Sequence, residues 1–244
     1  MTNKTVFITG AAKRIGMEIA IFFAKTLGYN VAIHCNNSVV DAENLKNKIC
    51  GLGVKCEIFQ SNLLDVTQSV RMLQDAINEF GKIDVLINNA SAFWQNNISN
   101  VSESDFDRDF NIHLKSPLFL MQKFSEQRFM GDQKGHVINM LDKNIVRRNT
   151  KYLSYLLSKQ SLHNLTFFAA HELAPLHICV NGIAPGYITE PVHNHQMDLD
   201  KKLSRIPMGT KGEVSNITHA IRFILESEYT TGQTIFVDGG DFLV

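Results

Sequence analysis

Seven short apolar segments alternate with stretches of helical periodicity along the whole chain, and this alternation constrains the fold more than any other feature. Residues 5–9, 31–35, 54–60, 84–88, 136–140, 177–183 and 234–237 are mostly apolar or β-branched and read as strands. Residues 14–27, 42–52, 66–80, 102–130 (with an interruption near Pro117), 152–173 and 213–225 instead repeat apolar side chains at helical spacing. A strand that is apolar at consecutive positions is buried on both faces, the condition of a parallel sheet covered by helices. The pattern predicts a doubly wound α/β domain of about seven parallel strands with helices on both faces.

With 244 residues, 44% apolar and 20% charged, the chain can bury a substantial core without disulfides or a structural metal. No linker, repeat or low-complexity tract divides it, so residues 1–244 read as a single domain. Lys plus Arg and Asp plus Glu each number 24, so there is no basic excess of the kind that marks a nucleic-acid binder. No apolar run approaches membrane-spanning length. Cys35, Cys50, Cys56 and Cys179 form no Cys-x-x-Cys pair, and a strand beginning at residue 5 leaves no room for a signal peptide. The expectation is a reduced, cytoplasmic chain with no disulfide and no metal. Residues 187–212 lack periodicity and read as a substrate lid, with His193, His195 and Met197 as extended lid residues rather than metal ligands.

Two constellations carry chemistry. The first is Thr9-Gly10-Ala11-Ala12-Lys13-Arg14-Ile15-Gly16, which joins the first strand to the first helix. Small residues there let the backbone approach a pyrophosphate seated at the positive end of the helix. The end of the second strand, His34-Cys35-Asn36-Asn37-Ser38, holds no carboxylate. A carboxylate at that place serves the ribose 2′-hydroxyl of NAD and would repel a 2′-phosphate. Its absence, with Lys13, Arg14 and Ser38 nearby, favours NADP(H).

The second is Tyr155-Leu156-Leu157-Ser158-Lys159, on the long helix after the fifth strand. Residues four apart share a helix face, so a lysine cation can stabilise the phenolate and lower the phenol pKa toward the working range of a general acid. Of the five tyrosines only Tyr155 has Lys at the fourth position after it; Tyr152, one turn upstream, has Leu156 there.

Together these pieces resemble the short-chain dehydrogenase/reductase family over nearly the whole chain. The resemblance rests on Thr9-Gly10 with Gly16, Asn88-Asn89-Ala90, Tyr155 with Lys159, Asn181-Gly182-Ile183-Ala184-Pro185-Gly186, and Val237-Asp238-Gly239-Gly240. It implies a Rossmann-type sheet, a nicotinamide cofactor and a homotetramer. It implies cofactor contacts from Gly10, Lys13, Arg14, Ile15, Gly16, His34, Asn36, Asn37 and Ser38. Further contacts are implied at Asn62, Leu63, Asn89, Ala90, Ser91, Tyr155, Lys159, Pro185, Gly186 and Ile188.

Three features resemble the pteridine reductase and dihydromonapterin reductase branch. They are Arg14 inside the glycine turn, Asn89-Ala90-Ser91-Ala92-Phe93 with its aromatic, and Asp142 thirteen residues before Tyr155, where most members have Ser. A Ser hydroxyl can donate to the oxygen that becomes negative in ketone reduction, whereas an ionised carboxylate only accepts. Asp142 therefore argues for a C=N bond in a nitrogen heterocycle. His113 stands where the family usually has Asn, and Asn111 is no simple substitute.

The reading is an NADPH-dependent reductase of a dihydropterin, 7,8-dihydromonapterin or 7,8-dihydrofolate. Tyr155, Lys159 and Asp142 are catalytic. Arg14, Ser91, Phe93, Asp142 and Tyr155 bind substrate, with Trp94 on the rim. Arg14 and Ser38 grip the phosphates of the cofactor. Glu190 falls where many members have a pyrophosphate-binding Thr, and Thr189 is one position early. The alternative is a reductase of a 3-oxoacyl thioester or small ketone on the same scaffold; a third reading is a nucleotide-binding protein without turnover.

Overall fold

A computed structural model of the chain describes residues 3–127, 129–131, 133–147, 150–190, 199–227 and 229–244. Seven strands form one sheet: β1 (Thr5–Ile8), β2 (Asn30–Cys35), β3 (Cys56–Gln60), β4 (Val85–Asn88), β5 (Gly135–Met140), β6 (Ile178–Pro185) and β7 (Thr234–Val237). Their order is β3-β2-β1-β4-β5-β6-β7, and every pair is parallel. Parallel neighbours need crossovers, and helices supply them: α1 (Arg14–Leu27), α2 (Val39–Cys50), α3 (Val66–Phe80), α4 (Glu103–Phe110), α5 (Ser116–Ser125), α6 (Leu153–Leu173), α7 (Leu199–Leu203) and α8 (Val214–Glu226).

The sheet separates two cores. Ile19 and Phe23 of α1, Leu45 and Ile49 of α2, and Ile217 and Ile221 of α8 pack on one face against Val6, Ile8, Val31 and Ile33. Leu73 of α3, Leu120 and Phe124 of α5, and Ala169 and Ala170 of α6 pack on the other against Phe7, Leu86, Val137 and Val180. Neighbouring strand residues thus feed opposite cores, and each fully buried Phe or Ile contributes about 1.5–3 kcal/mol. The order reverses between β1 and β4, which opens a crevice at their carboxyl ends.

The expected helix over 102–130 is instead three pieces. Ser102 caps α4 through a capping box with Asp105, residues Asn111–Lys115 form a π turn, and Pro117 lies in the first turn of α5. Pro117 has no N–H to return to the carbonyl four residues back, and the Ser116 N–H bonds the Asn111 carbonyl five back, so the helix widens before the proline. The sixth strand runs on to Pro185, which carries the chain to the cleft. The expected lid is described at Tyr187–Glu190 and from α7 onward; Pro191, His193, His195 and Met197 lie outside the described residues. All four cysteines are free. Among the described residues no helix is long and apolar enough to cross a membrane.

Buried histidines couple the fold to pH, two of them in strands. His34, near the end of β2, and His136, in β5, are both driven down to about 4 from the usual 6.5, because burial penalises the imidazolium. The unfolded chain binds protons that the folded chain refuses. The stabilisation is therefore complete above about pH 6.5 and is lost as pH falls toward 4, by about 3 kcal/mol per histidine at the acid end. Urea midpoints measured between about pH 7 and pH 5 should fall, and His136→Leu should flatten the dependence. An unchanged slope in His136→Leu would contradict this assignment.

Candidate active site

The turns after β1 and β4 are fastened together. The Thr9 hydroxyl accepts from the N–H groups of Asn89 (2.9 Å) and Ala90 (3.0 Å), while the Asn89 amide donates to the carbonyls of Thr9 (2.8 Å) and Gly10 (3.1 Å). The backbones approach so closely that a Cβ on Gly10, whose φ is +62°, would lie 2.9 Å from the Ala90 Cα. A Cβ on Gly16 would meet the Gly10 carbonyl oxygen at 2.4 Å. Neither position accepts a side chain without moving backbone.

Helix α1 opens from this turn with no side-chain cap and no acidic residue in its first turn. Its leading N–H donors and the positive end of its dipole remain available to an anion. The donor set and close backbone approach fit a dinucleotide pyrophosphate. Ile15 packs against the core beside it.

The phosphate-side residues do not gather as expected. Arg14 adopts φ +55° and its guanidinium points across the cleft, donating to Thr189 Oγ1 and the Glu190 carbonyl, each at 2.7 Å. It is thus not paired with Ser38. Lys13 turns to the β2 side instead and meets Asp41 at 2.9 Å, so a carboxylate does stand near that end, one turn into α2. The pair is exposed and holds less than about 1 kcal/mol, which leaves Lys13 free to exchange it for a phosphate.

His34 is not a ligand-facing side chain. It is 2% exposed, its Nδ1 accepts from the Gly10 N–H (3.0 Å), and its Nε2 bonds the Ser61 carbonyl (3.1 Å). Its work is to fix the turn. Ile188 is 4% exposed and its side chain packs into the core, so only its backbone is left to face a cofactor. Asn37 is exposed beyond the end of β2, and Ser38, the N-cap of α2, has no side-chain cap bond. The Asn36 carbonyl accepts from Gln60 (2.9 Å), Asn62 Oδ1 from the Leu64 N–H (3.0 Å), and the Leu63 carbonyl from the Ser116 hydroxyl (2.6 Å). Pro185 ends β6, and a Cβ on Gly186 would meet Asp238 Cα at 2.6 Å.

The three expected catalytic side chains do converge. The Tyr155 hydroxyl donates to Asp142 Oδ2 at 3.0 Å. Asp142 Oδ1 is occupied separately, accepting from the Asn144 N–H (2.7 Å) and side-chain amide (2.8 Å), so one carboxylate caps the 3-10 turn Lys143–Val146 and holds the phenol. Lys159, 2% exposed, donates to the Met140 carbonyl at 2.6 Å. The expected lowering of the Tyr155 pKa is reversed: burial and then the Asp142 charge push it well above 10, against a smaller opposing pull from Ser91. The phenol therefore holds its proton at neutral pH. Burial lowers Lys159 to about 8, with Asp142 pulling the other way.

His113 stands behind the pair with its ring edge-on to Tyr155, centroids 5.3 Å apart. The Ala92 N–H makes Nε2 an acceptor (3.2 Å), and Nε2 also meets the Ser91 hydroxyl (3.0 Å). Nδ1 then donates to Ser158 Oγ (2.8 Å), which donates to the Tyr155 carbonyl (2.6 Å). Burial, with the charges of Lys159 and Arg108, holds this imidazole neutral, well below 6.5. It ties the β4 loop to the Tyr155 helix. Phe93 stacks on Tyr152 at 4.3 Å and meets Tyr155 edge-on at 4.7 Å, yet stays 42% exposed, so part of its ring can receive a planar ligand.

Sequence reasoning missed the support beneath. Tyr152, which has no Lys four residues on, is the platform for Phe93. Helix α6 gets no cap from its own N-cap residue; Asn96 Oδ1 accepts from the Ser154 N–H (3.1 Å), and the Ser154 hydroxyl donates to buried Asp109 (2.5 Å). A local signal could not reveal this, since Asn96 lies 58 residues from Ser154.

Sheet order, an uncapped helix end and a buried Tyr–Lys pair define a nicotinamide-dependent oxidoreductase class. The chain belongs to the short-chain dehydrogenase/reductase family: the family model described as enoyl-(acyl carrier protein) reductase matches residues 10–241. A 3-oxoacyl-[acyl-carrier-protein] reductase, FabG, of Staphylococcus epidermidis is 32% identical over 99% of this chain and 100% of its own length. Two solved structures are also similar. FolM alternative dihydrofolate reductase 1 from Brucella canis, complexed with NADP, has a TM-score of 0.92 and 34% identity over 100% of this chain and 95% of its own. The Brucella suis protein of the same description, also in complex with NADP, has a TM-score of 0.90 and 33% identity over 100% and 97%.

Lys159 serves as a cation only while protonated. Turnover should decline as pH rises past about 8, and Lys159→Arg should shift that limb upward in whatever activity it retains. A pH profile flat through that range would contradict the assignment.

Proposed function

We propose that this chain is an NADPH-dependent reductase of a dihydropterin, converting 7,8-dihydromonapterin or 7,8-dihydrofolate to the tetrahydro form. The observation that carries the reading is the Asp142 carboxylate, bonded to the Tyr155 hydroxyl at 3.0 Å where a ketone reductase needs a donor. A carboxylate repels a developing alkoxide but accepts from the N–H groups of a pterin. The NADP in both Brucella complexes and their dihydrofolate reductase descriptions support the same reading.

The residues present fit the cofactor. The turn 9–16 and the start of α1 would hold the pyrophosphate, Lys13 with Asn37 and Ser38 the 2′-phosphate, and Lys159 the nicotinamide ribose. When bound there, NADPH would supply the hydride that reduction of a C=N bond requires. Tyr155 keeps its proton until the adjacent nitrogen becomes basic, then passes it on directly or through water. Asp142 orients the phenol and accepts from the ring. Phe93, backed by Tyr152, stacks on the pterin, and Arg14 with Thr189 and Glu190 closes the side of the cleft. The residues flanking the cleft within 187–212 act as the lid.

A second reading, reduction of a 3-oxoacyl thioester, is favoured by the full-length similarity to FabG. Following NADPH oxidation with dihydromonapterin, dihydrofolate, biopterin and acetoacetyl thioester in parallel separates the two. Turnover is expected with a dihydropterin, falling about 100- to 10,000-fold in Tyr155→Phe. Asp142→Ala should lose activity as well. Turnover of the thioester alone would overturn the proposal.

A further inference from the structure

The last four residues of the chain lie against the turn that carries Asp142, and we propose that Asp241 is a positioning residue for the Asp142–Tyr155 pair. The inference rests on the role given to that pair above. Asp241 is 4% exposed and lies between two cations of one short turn. Lys143 Nζ pairs with its Oδ2, and Arg147 Nη1 reaches its Oδ1 at 3.3 Å. Arg147 Nη2 also donates to the carbonyl of Val244. These cations begin and end the turn that starts at Asp142, so the Asp241 carboxylate grips both ends of it.

The grip has a firm base. Asp238 accepts from the N–H groups of Gly240 (3.0 Å) and Phe242 (2.7 Å), and Gly240 takes φ +84° to turn the tail back. Phe242 stacks on Phe236 of β7 at 4.3 Å. The tail is thus part of the sheet's edge rather than a loose end. On the other side, Gln160 of α6 donates to the Arg147 carbonyl (3.2 Å), tying the turn to the helix of Tyr155.

Removing the Asp241 charge would leave the partly buried Lys143 without this carboxylate and Arg147 with only its bond to Val244. Lys202 of α7 feels both Lys143 and Asp241, so a third cation adds to the repulsion. The turn would shift, and with it the Asp142 oxygen that holds the phenol. The Asp241 carboxylate bonds Lys143 and Arg147 rather than Asp142 or Tyr155, so it acts on the pair through the turn. A displacement of about 1 Å in a reacting group costs about 100-fold in rate.

The test is Asp241→Asn and Asp241→Glu, each made in the wild type and in Asp142→Asn, with kcat and KM measured on whichever substrate turns over. NADPH affinity by fluorescence and the thermal midpoint are read alongside. Asp241→Asn should lower kcat about tenfold or more while KM and NADPH affinity stay within about twofold, and Asp241→Glu should restore part of the loss. In the Asp142→Asn background Asp241→Asn should cost nothing further. An unchanged kcat, an additive loss in that background, or a loss that tracks unfolding would overturn the inference. Turnover of the thioester alone would sink the pterin reading and leave this test to run on that substrate. Pterin turnover with a silent Asp241→Asn would sink only this inference.

Discussion

The phenol of Tyr155 donates one hydrogen bond to the carboxylate of Asp142 across 3.0 Å, and much of the architecture keeps that pair in register. Asp142 sits just past the end of β5, Tyr155 on α6, and the two elements meet only because the sheet order places β5 between β4 and β6. Beneath them the Asn88 amide donates to Asn139 (2.8 Å), and the Asn139 amide donates to Thr166 of α6 (3.0 Å). That buried polar line fixes how α6 seats on the sheet. His113 and Ser158 then hold the helix to the β4 loop, and Asn96 caps its first turn from outside. Each link spans two elements, so the pair is set by the tertiary structure rather than by the helix that bears Tyr155.

Electrostatics divides the labour. Burial makes charge expensive, so His34 and His113 stay neutral and serve as fixed hydrogen-bonding spacers. Tyr155 keeps its proton for the same reason, strengthened by Asp142. Lys159 is the one group in this set whose charge burial brings within reach of ordinary pH. The exposed cations Lys13 and Arg14 are parked on Asp41 and on the Thr189–Glu190 segment, contacts weak enough to yield to an anionic ligand.

Much of the fold was legible because it is written in period. Continuous apolar runs marked all seven strands, and the glycine turn, Asp142 and the Tyr155–Lys159 spacing pointed to side chains that the fold brings to the carboxyl end of the sheet. What was not legible shares a cause. Whether the side chains of His34 and Ile188 face the cleft or the core is decided by tertiary packing, which no local pattern encodes. Arg14 takes a left-handed backbone conformation, so its direction could not be read from a helix wheel. The Tyr155 pKa was misjudged because burial penalises the phenolate and the Asp142 charge adds to that, while Lys159 donates to the Met140 carbonyl. The π turn at 111–115 arose from Pro117, whose effect extends one turn upstream of itself.

The central claim is that the hydrogen-bond acceptor at Asp142 selects a C=N substrate over a ketone. The direct measurement is the ratio of kcat/KM for a dihydropterin to that for an acetoacetyl thioester in the wild type and in Asp142→Ser. The account predicts that the serine hydroxyl, able to donate to a developing alkoxide, moves the ratio toward the thioester by about 100-fold or more. A ratio unchanged by the substitution, with both activities scaled equally, would contradict it.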